Sequence, residues 1–114
     1  MISATDNSSI IRKTGIMKIR KLDKSIGDAL KIAYNFKCQI CGLLIGELYN
    51  ATVINIHHIE YFSKSLNNNA DNLLVVCPNH HGIIHDTNPE FDRKDKLYIY
   101  PNGYTEKLKL NFHL

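Results

Sequence analysis

The chain contains no tryptophan, only three prolines and only three cysteines in 114 residues. An odd, small number of cysteines is a poor basis for a disulfide framework, so the expected compartment is reducing and cytoplasmic. No apolar run is long enough to span a membrane; the longest, Leu73 to Cys77, suits a buried strand. Residues 1–11 are polar and lack the apolar segment of a secretory signal. There is no internal repeat. Low complexity is confined to three asparagines at 67–69. Carboxylates are sparse where the histidines gather: only Glu60, Asp71 and Asp86 lie between His57 and Asp86. A site bridged by carboxylates around two metals is therefore not expected.

The length allows one domain. With 44% apolar residues and a net charge of +3 the chain should fold, around a core thin enough for a metal staple to matter. The basic excess gathers near the start. Arg12, Lys13, Lys18, Arg20, Lys21 and Lys24 face only Asp6 and Asp23 within residues 1–24. Such an arm suits a phosphate-bearing partner, against the alternative of a solvated, partly disordered tail.

The expected organisation is this arm over 1–24 and one α+β domain over 25–114, with a motif core at 36–86. Ile26, Ala29, Leu30 and Ala33 have helical spacing and predict a helix over 25–35, capped by Asp23 or Ser25. Residues 52–59 are rich in β-branched side chains and predict a strand ending in a histidine pair. Residues 60–71 read as a loop and 73–77 as a second strand. Pro78 suits the first turn of a helix running to about Asp86. Asn102-Gly103 between the apolar stretches 97–100 and 104–110 predicts a hairpin.

All three cysteines and five of the six histidines lie between Cys38 and His85. Cys38 and Cys41 form a C-x2-C pair, and Cys77 and His80 form a C-x2-H pair. Two such turns can close a tetrahedron around a structural zinc. Gly42 would supply a permissive backbone just after the second ligand. His81 could compete with His80, but helix geometry separates them by about 100°. His81 and His85, four apart, share one face and can serve a second metal. His57 and His58 are strand neighbours and point to opposite sides. One of them can join His81 and His85, leaving the other available as a base. For any one histidine an ordinary core or surface role is the better reading; for the set it is not. Glu60 reads as an exposed loop carboxylate, with orientation of a metal ligand as its alternative.

His57-His58-Ile59, then Asn72, then Cys77-Pro78-Asn79-His80-His81 with His85 four residues on, resembles the HNH (His-Asn-His) endonucleases, the ββα-metal nucleases. The resemblance covers about residues 25–86. It implies a ββα-metal core and hydrolysis of DNA phosphodiesters to 5′-phosphate and 3′-hydroxyl ends. It implies His58 as general base and His57, His81 and His85 as metal ligands, an arrangement similar to that of colicin-type nucleases. Asn72 would tie down the loop and help hold the base. The zinc pairs resemble those of restriction and phage HNH enzymes, many of which carry Cys where this chain has His80. Three neutral histidines favour Zn2+, Ni2+ or Mn2+ over Mg2+. Small size leaves sequence specificity to a partner subunit, the alternative being loose nicking, and cutting both strands would need two active sites, as in a homodimer. The competing expectation is a zinc-containing nucleic-acid-binding module without cleavage.

Overall fold

A computed structural model describes residues 24–61 and 69–114. Helix α1 occupies 24–33 of these. Two residues of left-handed backbone, Asn35 (φ 54°) and Phe36 (φ 59°), end it. The Phe36 amide donates back to the Lys31 carbonyl at 2.8 Å, closing the last turn. The helix thus stops two residues before the expected boundary. Its inner face also differs from the expected one. Gly27, Leu30 and Tyr34 are buried, whereas Ala29 and Ala33 are exposed. Gly27 sits on the inner face because a Cβ there would come within 3.2 Å of Ile56 Cγ1, so its absence lets the helix approach the sheet closely.

Strands β1 (Asn55–His58) and β2 (Leu73–Val76) pair antiparallel, with His57 opposite Leu74 and His58 opposite Leu73. β1 is shorter than the predicted 52–59. All four β2 residues are buried, because the sheet is covered on both faces. α1 reaches it at Ile56, and helix α2 (Pro78–Thr87) packs against both strands. Pro78 takes the first turn as expected, and Asn88 (φ 50°) caps the end, with its amide donating to the Ile84 carbonyl. Chain order β1–β2–α2 therefore sets the histidine pair of the strand beside the histidines of the helix.

A second sheet follows as a meander of β3 (Glu90–Asp92), β4 (Leu97–Ile99) and β5 (Thr105–Lys107). The predicted hairpin is β4–β5, turning through Gly103 at φ 93°. β3 was not expected. Beyond Lys107 the alternating segment leaves the ladder, and the Lys109 and Leu110 amides both donate to the Gln39 carbonyl, at 2.8 and 3.1 Å.

Gln39, buried between two knuckle residues, joins the parts. Its amide donates to the Val75 carbonyl, its side-chain oxygen accepts from the Val75 amide, and its Nε2 donates to the Leu110 carbonyl. The outer edge of β2 is closed by the backbone and side chain of this one residue and by His113, whose Nε2 donates to the Leu73 carbonyl at 2.9 Å. The architecture is α+β, with two helices and two small antiparallel sheets. Among the described residues no helix is long and apolar enough to cross a membrane.

Candidate metal centres

Cys38 and Cys41 belong to the turn after α1, and Cys77 and His80 to the start of α2. The fold brings all four together, their ligand atoms lying within 4.8 Å of one another. His80 Nδ1 is 3.4 Å from Cys77 Sγ and 3.8 Å from Cys38 Sγ. Zinc–sulfur and zinc–nitrogen bonds of about 2.3 and 2.0 Å put such atoms roughly 3.5 Å apart at tetrahedral corners. Three backbone amides point at the sulfurs: Ile40 and Cys41 at Cys38 Sγ, His80 at Cys77 Sγ. Such donors favour thiolates. Burial first, and then the neighbouring Cys77, push the Cys38 thiol up to about 12 against the pull of those amides, so the pocket is hostile to that thiolate unless a cation replaces the proton. Gly42 adopts φ 72° and its amide donates to the Cys38 carbonyl, closing the knuckle. All three cysteines are free thiols. The donor set fits a metal such as zinc.

The remaining histidines form a second group. His57, His81 and His85 also present ligand atoms within 4.8 Å of one another. His81 and His85 turn their Nε2 atoms together at 3.1 Å, and the His57 ring lies 5.4 and 5.2 Å from theirs. His57 is buried, His81 half-buried and His85 exposed, so the group runs from the core to the surface. Burial, then the charges of His81, His85 and His58, holds the His57 ring down to about 3. Burial, with His85 and His58 among the contributing charges, lowers His81 to about 4. Both rings are neutral at physiological pH, the form in which imidazole can bind a metal.

His58 stands outside this ligand group. The pleat sends it away from His57, yet its charge is felt by both His57 and His81. Asn72 is fully buried behind the pair. Its Nδ2 donates to the Glu60 carbonyl at 2.9 Å and its Oδ1 accepts from the Glu60 amide at 2.8 Å. The Ile59 amide donates to the Asn72 carbonyl. The backbone just after His58 is thereby pinned to the start of β2. The Glu60 side chain is exposed.

Several contributors were invisible in the sequence. Tyr61 stacks on His85, with centroids 5.4 Å apart and planes at 16°, and its hydroxyl donates to Asn88. Arg93 donates to the Asp71 carbonyl and, at 3.4 Å, to Asn72 Oδ1. Glu106 meets His80 Nε2 at 3.2 Å. Of the basic arm, Arg12, Lys13, Lys18, Arg20 and Lys21 lie outside the described residues. Lys24 is in α1, paired with Asp28 at 2.9 Å on an exposed face. Asn67 and Asn68 also lie outside the described residues. No family model matches the chain, and no curated protein or solved structure is significantly similar to it.

Proposed function

We propose that the protein is a metal-dependent endonuclease of the HNH type that hydrolyses DNA phosphodiesters. The observation that carries this reading is the divided histidine set. Three histidines converge on one point that opens to the surface, a fourth adjoins them outside that set, and a buried asparagine clamps the backbone between strand and loop.

A zinc on Cys38, Cys41, Cys77 and His80 would hold the knuckle to the start of α2. His57, His81 and His85 would hold a second divalent ion, which supplies Lewis-acid stabilisation to the scissile phosphate and leaving oxygen. A neutral imidazole at His58 accepts a proton from the attacking water. Asn72 positions that imidazole by fixing the Ile59–Glu60 backbone. The basic side chains from Arg12 to Lys24 contribute affinity for the phosphate backbone and none of the chemistry. Cutting both strands would take two such sites, supplied by a homodimer or a partner subunit. A role in restriction or a mobile element fits a small catalytic domain of this kind.

The test is supercoiled plasmid incubated with pure protein and Mn2+, Ni2+, Zn2+ or Mg2+, beside an EDTA control. Nicked or linear product that depends on the ion and disappears in His85→Ala is expected. Tight, salt-sensitive DNA binding with no cleavage under any of these ions would replace the nuclease with a zinc-containing binding module.

A further inference from the structure

One side chain of the C-terminal sheet enters the cysteine cluster. We infer that Glu106, on β5, is the positioning residue that makes His80 a zinc ligand. The inference rests on the zinc reading of the Cys38–Cys41–Cys77–His80 cluster and not on DNA cleavage.

A histidine ring can offer either nitrogen to a metal, and which one is set by what holds the other. Here Nδ1 faces the sulfurs of Cys38 and Cys77, while Nε2 meets Glu106 Oε2 at 3.2 Å. A carboxylate only accepts, so Nε2 carries the hydrogen and the Nδ1 lone pair is left for the metal. The pair is shielded, with the His80 and Glu106 side chains 15% and 24% exposed, which strengthens it over a surface contact. Glu106 is itself held from behind. The buried Tyr100 hydroxyl donates to its Oε1 at 3.0 Å, so both carboxylate oxygens are engaged. The chain Tyr100–Glu106–His80 ties the β4–β5 hairpin to the metal. It also separates two adjacent histidines: His80 is drawn to the sulfurs, while His81 turns to His85.

By linkage, zinc and the docking of the hairpin reinforce each other. Glu106 is needed because the fourth ligand is an imidazole. A thiolate at position 80 has no second nitrogen to orient and no use for the carboxylate.

The experiment measures zinc affinity by competition with a chromophoric chelator, in full-length protein. Glu106→Ala is expected to weaken zinc by about 10- to 100-fold, the usual cost of losing such a partner. Glu106→Gln, which keeps an acceptor, should recover part of the loss. In a His80→Cys background Glu106→Ala should change affinity by less than about twofold, because the carboxylate's partner is gone. Long-range 1H–15N spectra should show His80 as the Nε2–H tautomer in the zinc-loaded wild type and a changed pattern in Glu106→Ala. An equal loss of affinity in both backgrounds would reduce Glu106 to a packing residue and overturn the inference. So would an unchanged affinity and tautomer in Glu106→Ala. Should Glu106→Ala not fold, Glu106→Gln and Tyr100→Phe carry the same measurements, and wild-type values in both overturn it. A wild-type chain that takes up no zinc would remove the zinc reading itself.

Discussion

His81 and His85 meet through the same atom, Nε2 to Nε2, at 3.1 Å. Two metal-ligating imidazoles at bond lengths of about 2.0 Å stand roughly 3.3 Å apart around a tetrahedral ion. The helix spacing makes the pair, and buried His57 closes the third side.

The three histidines differ in burial, so their substitutions should differ in kind. His85 is exposed, and His85→Ala is expected to shift folding stability by only about 0.5 kcal/mol. It should still remove the exchangeable metal while the zinc stays. His57→Ala empties a buried site and should cost about 2–4 kcal/mol. Metal analysis beside urea unfolding checks both. Equal destabilisation by the two variants would contradict the burial order.

The cysteine cluster should hold about one zinc per chain through dialysis. Because burial favours the protonated Cys38 thiol, zinc must displace its proton, and zinc affinity should rise with pH. Cys38→Ser should give unstable or insoluble protein. A fully folded Cys38→Ser variant without metal would show that the cluster is merely a buried thiol pocket.

Acid should weaken the fold through the histidine group when its metal is absent. His57 and His81 protonate at about 3 and 4 in the folded chain, against about 6.5 when unfolded. Above pH 6.5 neither state binds these protons, and stability does not depend on them. Between pH 6.5 and 4 the unfolded chain takes up protons that the folded chain refuses, so stability falls. His57→Leu should flatten that fall. Urea midpoints at pH 7, 5.5 and 4.5 give the slope, and identical slopes in wild type and variant would refute the assignment.

Asn72→Ala should leave the Glu60 amide and carbonyl without their partners. A cost of about 1–3 kcal/mol is expected, with slower cleavage and unchanged zinc content. Asn72→Asp keeps the acceptor for the Glu60 amide but turns a buried carboxylate oxygen toward the Glu60 carbonyl, so it should be no milder at neutral pH. If Asn72→Ala cleaves at the wild-type rate, the clamp does not position His58.

How much of this was legible in the sequence follows from the reach of each interaction. The knuckles and the His81–His85 face are local spacings, so they could be read directly. The Asn102-Gly103 turn is local too. The end of α1 was misplaced because Asn35 and Phe36 take left-handed backbone, which Phe rarely does. Gly27 packs inward on α1 while Ala29 and Ala33, which carried the apolar spacing, are exposed, because a residue without a side chain adds nothing to an apolar pattern. Gln39, Glu106 and His113 act across 36, 26 and 40 residues respectively. No spacing rule announces such partners. Glu106 even occupies a strand position where an exposed carboxylate is the ordinary expectation.

In the proposed mechanism His58 is a base beside a metal rather than another ligand. Single-turnover cleavage of a labelled duplex by wild type and His58→Ala, at equal occupancy of both metals, tests it most directly. Loss of a general base typically slows reaction by ~10²–10⁴-fold. A rate reduction in that range, with zinc content, second-metal affinity and DNA affinity near wild type, is the expected result. Wild-type cleavage by His58→Ala would contradict the account.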